Sequence, residues 1–173
     1  MEFKKGCPYG THRVISPKGV LPQPADVIDN TMEIYDNEVL IEVHTLNIDS
    51  ASFTEIERRA EGDIEEIKKI IMNIVETTGK HKNPWTGSGG MLIGKVKAIG
   101  PNFEGDLRVG DKIATLVSLS LTPLKIEEIK EVRPEIDQVD VKGQAILFQS
   151  GLYGILPTDM PKELALSVLD VAG

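Results

Sequence analysis

The 173 residues, 40% hydrophobic and 27% charged, suffice for one buried core, so a single main domain is the default expectation. Twenty-seven Asp and Glu against 19 Lys and Arg leave a net charge of −8, which repels nucleic acid and anionic membrane surfaces and draws in cationic ligands. The one cysteine, Cys7, excludes an internal disulfide and a multi-cysteine zinc site. No apolar run reaches the roughly 20 residues of a membrane span, and the N-terminus has no signal-peptide core, so a cytoplasmic protein is expected.

Pro17, Gly19, Pro22 and Pro24 make residues 16–25 an irregular loop, and Asp29-Asn30 and Asp36-Asn37 mark turns. Between Glu38 and Leu46, Val39, Ile41 and Val43 alternate with Leu40, Glu42 and His44, the period of a half-buried strand. The segment that follows, NIDSASF, reads as a loop. From Asp63 to Gly79 the pattern changes: Ile64, Ile67, Ile70, Ile71, Ile74 and Val75 recur at three- and four-residue spacing. Asp63 suits the N-cap, with Glu66 three places on, and Gly79 suits the left-handed C-terminal position, so the spacing predicts an amphipathic helix with a core-packing stripe. Lys80, His81 and Lys82 then fall at the negative end of the helix dipole, where cations stabilise it.

The stretch from Gly87 to Leu116 carries most information. Leu92, Ile93, Val96 and Ile99 form a β-rich run that Gly94 interrupts where a side chain would obstruct a close backbone approach. Turns follow at Gly100-Pro101-Asn102 and Gly110-Asp111, after which the chain re-enters a strand through Ile113 and Ala114. Leu119 to Lys142 is expected as strand, with β-branched residues and Pro134 weighing against a helix. Gln144 to Ile155 again reads as β. Pro157, Asp159 and Pro161 suit a helix start, continued through Leu164, Leu166, Val168 and Leu169. The apolar ending VLDVAG predicts a piece of something longer.

The succession of the strand at Glu38, NIDSASF, G-x-x-x-x-G-x-V-x-x-I-G, V-G-D-K-I and L-P-x-x-x-x-x-E-x-A resembles the N-terminal, GroES-like domain of the medium-chain dehydrogenase/reductase superfamily. The resemblance is clear from about Glu38 to Gly173 and looser before it. It implies a mainly β fold, a partly open β-barrel with an inserted amphipathic helix and a short C-terminal helix. It also implies that residues 1–157 form the GroES-like catalytic domain and that 158–173 begin the junction to a Rossmann domain absent from this chain. In the superfamily that second domain carries NAD or NADP and commonly the contact of a homo-oligomer. Gly87, Gly89 and Gly90 are not followed by a helical pattern, so they are no dinucleotide fingerprint.

Zinc-dependent superfamily members hold their metal with a loop Cys, a His in a G-H-E motif and a junction Cys. Aligned on Gly89, Gly94 and Gly100, the corresponding positions are Asp49, Gly90 and Asp170, with Met91 in place of the Glu. The four-cysteine structural zinc lobe is absent too. The resemblance therefore implies no zinc and two carboxylates, Asp49 and Asp170, converging where the metal would lie; like charges in a cleft repel unless a cation or proton joins them. The opening KKGCPYGTHRVISPKGVLPQPA and the phrase EVLIEVHTLNIDSASF resemble superfamily members that oxidise a small cationic diamino acid, which would supply that cation. Asp49 then serves as general base and Asp170 stabilises a cationic iminium. An Asp after a strand is also an ordinary turn or cap residue, and that reading stays open. Ser50 and Ser52 are candidates for hydrogen bonds to substrate, His12 and Arg13 for the substrate carboxylate, and Trp85 for lining the cleft. Two alternatives remain: a zinc-free quinone- or enoyl-reductase-like enzyme, and a freestanding GroES-like binding module.

Overall fold

The computed structural model describes residues 2–157, and the helix expected beyond Leu156 lies outside them. The fold is mainly β, as expected. Strands β1 (Val14–Ser16) and β2 (Val27–Ile28) form a small antiparallel pair, while β3 (Val39–Ile48), β4 (Gly90–Ile99), β5 (Lys112–Thr115), β6 (Leu124–Arg133), β7 (Gln138–Leu147) and β8 (Tyr153–Ile155) form a six-stranded sheet in the order β6-β7-β3-β4-β5-β8. Every pairing between neighbours is antiparallel. The sheet is open: β6 and β8 are its two edges.

Strand β3 shows how the pattern sets the geometry. Val39, Ile41 and Val43 are buried, but a register shift between Val43 and Thr45 moves the buried phase so that Leu46 and Ile48 also face the core. One extra residue in a ladder does this because side chains alternate with a period of two. Gly94 stands opposite Val43, and a Cβ there would overlap the Glu42 carbonyl oxygen. The β4–β5 hairpin closes through the expected turn, where the Asp111 N–H donates to Arg108 O at 3.0 Å and Gly110 has φ +99°.

Two helices complete the described residues: α1 (Ser50–Arg59) and α2 (Ile64–Thr78). The second matches its signals. Asp63 accepts from the Glu65 and Glu66 N–H groups, Gly79 is left-handed at φ +80°, and Ile67, Ile71, Ile74 and Val75 are buried. At roughly 1.5–3 kcal/mol for each fully buried aliphatic side chain, this stripe belongs to the core, where α2 lies against β6. The first helix replaces the loop expected at NIDSASF. Phe53, Ile56 and Ala60, at three- and four-residue spacing, are buried in the same core. No helix among the described residues is long and apolar enough to cross a membrane.

Candidate functional site

Ile48 pairs with Gly90, so the chain leaves β3 at Asp49 directly across from Gly89. The two residues exchange bonds. The Asp49 N–H donates to Gly89 O at 3.0 Å, and the Gly89 N–H donates to Asp49 Oδ2 at 3.2 Å. Asp49 also occupies the N-cap position of α1, yet its side chain accepts none of that helix's N–H groups. An N-cap carboxylate ordinarily satisfies N2 or N3. Here it is turned across to β4 instead, and its second oxygen, Oδ1, has no partner among the described residues while the residue stays exposed.

The floor of this site requires glycine. Gly90 has φ +144°, and a Cβ there would overlap the Asn47 carbonyl oxygen. A Cβ on Gly89 would meet the Ser120 backbone nitrogen at 2.6 Å and Ser118 Oγ at 2.8 Å. An imidazole at position 90 thus finds no room for even its first carbon. Among the described residues no three His, Cys, Asp or Glu side chains converge as a metal site. Gly87, Gly89 and Gly90 lead into strand β4, so their N–H groups form no helix-terminal pyrophosphate cradle.

The other expected residues are scattered. Ser50, exposed, opens α1 beside Asp49. Ser52 is fully buried, and its Oγ accepts from Asn83 Nδ2 at 2.9 Å, a bond that fastens residues 83–88 to α1 rather than facing a ligand. Trp85 is 43% exposed, with the Arg59 guanidinium 3.7 Å from its ring centroid. Asp170 lies outside the described residues.

His12 and Arg13 stand elsewhere altogether. Arg13 is fully buried; its Nε and one Nη donate to the two oxygens of Glu38 at 2.7 and 2.8 Å, and its remaining N–H groups reach the carbonyls of Asp29, Thr31 and Glu33. All five guanidinium donors are engaged, leaving none for a substrate carboxylate. His12 Nδ1 accepts from the Cys7 N–H at 2.9 Å, so its proton is on Nε2, which donates to Glu38 at 2.8 Å. Burial raises the Glu38 pKa, but the Arg13 and His12 hydrogen bonds outweigh it and hold the carboxyl below the usual range. Glu38 precedes β3 and Asp49 follows it, so at about 3.3 Å per residue the two lie roughly 36 Å apart along an extended strand. A small amino acid cannot touch both.

The cations expected at the end of α2 are also placed differently. His81 is fully buried, and burial pushes its pKa down to about 4, so at neutral pH it carries no charge for the helix dipole. Neither ring nitrogen has a hydrogen-bond partner among the described residues. Burial, then the charge of Lys82, pushes Lys80 down to about 8; its Nζ donates to the Pro22 and Gln23 carbonyls at 2.6 and 3.1 Å. It holds the proline-rich loop.

Residues 12–157 match the family model described as the L-erythro-3,5-diaminohexanoate dehydrogenase N-terminal domain. The chain belongs to that family. Among curated proteins, the L-erythro-3,5-diaminohexanoate dehydrogenase of Fusobacterium nucleatum subsp. nucleatum is 65% identical over 173 residues, covering 99% of this chain and 50% of that protein. The enzyme of the same name from Acetoanaerobium sticklandii is 63% identical over 171 residues, covering 98% and 50%. The chain therefore spans about half the length of the curated relatives it matches. The family match takes in Asp49, Gly89, Gly90 and Trp85 but stops before Asp170. Ser118, Ser120 and Asn83, which crowd or brace this site, carried no signal beyond their place near the Gly89-Gly90 pair.

Proposed function

We propose that this chain is the substrate-facing N-terminal part of a zinc-independent, NAD(P)-linked dehydrogenase of the medium-chain superfamily, working in lysine fermentation. It oxidatively deaminates L-erythro-3,5-diaminohexanoate to 5-amino-3-oxohexanoate. The relatives' names support the substrate. The observation that carries the reading is Asp49: an exposed carboxylate, fixed through Oδ2 by the Gly89 N–H, with Oδ1 unpartnered at a helix start it does not cap.

NAD or NADP, held mainly by the half that this chain does not include, supplies the hydride acceptor. The roles proposed for this chain's own residues concern substrate and protons. Asp49 Oδ1 accepts an N–H of the C3 ammonium and takes the proton that must leave before C3 gives up hydride. The Gly89 bond holds the carboxylate in place through the step. Once that proton has passed to solvent, the same oxygen takes one from the water adding to the C3 iminium, and ammonia departs to leave the ketone. The charge of −8 favours approach of a diamino acid. A quinone- or enoyl-reductase reading fits less well, because a neutral apolar substrate gives Asp49 no partner. In the full-length enzyme Asp49→Asn should lower turnover about 10²–10⁴-fold with thermal stability near that of the parent; near-normal turnover would remove Asp49 from the mechanism.

A further inference from the structure

Beyond the glycines and Asp49, one side chain presses on the same spot. Ser118 precedes the short 3-10 turn Leu119–Leu121, and its Oγ packs against the Cα of Gly89, the residue whose N–H holds Asp49. Ser118 Oγ accepts from the Ser120 N–H at 3.1 Å and lies 2.7 Å from Ser120 Oγ. Which hydroxyl donates follows from burial. Ser120 is 1% exposed, and its Oγ has no hydrogen-bond partner but Ser118 among the described residues. Were Ser118 the donor, the Ser120 proton would be buried with no acceptor, which folded proteins avoid. Ser120 therefore donates to Ser118. The Ser118 hydroxyl, half-buried, then keeps a proton with no acceptor among the described residues, against the same Gly89 whose N–H holds the Asp49 carboxylate.

A hydroxyl donor beside a carboxylate acceptor matches a ligand that offers both charges close together. In a 3-amino acid, a single carbon, C2, separates the ammonium carbon C3 from the carboxylate carbon C1. We propose that the Ser118 hydroxyl, oriented by Ser120, is a substrate-positioning group that donates to the substrate carboxylate while Asp49 holds the adjacent ammonium. The inference rests on the reading of Asp49 given above and deepens it. It also supplies the carboxylate contact that Arg13, far away and saturated, does not make.

The test uses the full-length enzyme with the diamino acid, and with the diamine in which hydrogen replaces the carboxylate. Ser118→Ala should raise KM for the diamino acid about tenfold, the loss of one hydrogen bond to a charged group, and leave the dinucleotide KM unchanged. Ser118→Thr should restore it. On the diamine, parent and Ser118→Ala should behave alike, which a merely structural serine would not produce. Ser118→Cys, close in size with a weaker donor, serves should the alanine variant fold poorly and should fall between. An unchanged diamino-acid KM, or an equal loss on both substrates, overturns the proposal. If Asp49→Asn is inactive while Ser118→Ala is normal, only Ser118 falls; if Asp49→Asn is itself normal, the reading of the site falls with it.

Discussion

Asp49 and Asp63 occupy the same place in two neighbouring helices, the residue just before the first turn, and use it in opposite ways. Asp63 spends its carboxylate on its own helix, accepting from Glu65 and Glu66. Asp49 makes no such bond and reaches over to Gly89 on another strand. Each keeps one oxygen without a partner among the described residues, so the difference is orientation: Asp63 Oδ1 turns its carboxylate onto its own first turn, whereas Asp49 Oδ2 turns its carboxylate across to the glycine floor of β4. Glu38 makes the same point at the far end of β3, where Arg13 and His12 occupy both its oxygens and the group is structural despite being charged.

The contrast breaks most readily through activity. Asp49→Asn should cost two to four orders of magnitude in turnover with little change in thermal midpoint, because no cap bond is lost. The corresponding change at Asp63 should leave turnover alone. Next comes the floor of the site. Gly90→Ala places a carbon against the Asn47 carbonyl at a φ of +144°, so at least about 2 kcal/mol of destabilisation is expected in urea unfolding. Gly90→His should not restore a zinc site, and a stoichiometric metal content in that variant would overturn the account of this backbone.

A third effect depends on pH and lies at His81. The folded chain holds this imidazole at a pKa of about 4, whereas an unfolded histidine titrates near 6.5. Between those values the unfolded state binds a proton that the folded state refuses, so this contribution is complete above pH 6.5 and is lost as pH falls towards 4. The window of about 2.5 units corresponds to about 3 kcal/mol. Urea midpoints at pH 7 and 4.5 measure it. The parent should weaken more over that interval than His81→Phe, which cannot titrate; parallel behaviour of the two would show that the ring is not held neutral.

What could be read from the residues alone followed local rules. Helix α2 was legible because Asp63, Gly79 and the isoleucines state its start, end and buried face within one segment. Gly94 was legible because a glycine inside an apolar β run has few other reasons to be there. Helix α1 was missed: Ser-Ala-Ser at its start is weakly helical, and the stripe of Phe53, Ile56 and Ala60 is short. The pairing of Arg13 with Glu38 spans 25 residues, and no local pattern announces it, so a buried ion pair passed for a carboxylate anchor. Asp49 was found from the family pattern, but its partner Gly89 and the serines beyond it meet only in the folded chain.

The smallest effect is the one that defines the comparison from its other side. Asp63→Ala removes a cap whose bond to the Glu65 N–H is 2.9 Å long, with a weaker approach to Glu66 at 3.5 Å. The site is exposed, so the orphaned N–H groups turn to water rather than remaining unsatisfied, and the loss should be about 1 kcal/mol. Four buried side chains still hold α2 to the sheet, so the helix persists and only its first turn frays. Asp49→Asn, tested alongside by urea unfolding, should cost less than this, since its amide oxygen still accepts from the buried Gly89 N–H and α1 has no side-chain cap to lose. If Asp49→Asn proves the more destabilising of the two, the carboxylate charge is serving the fold, and the distinction between the two aspartates fails.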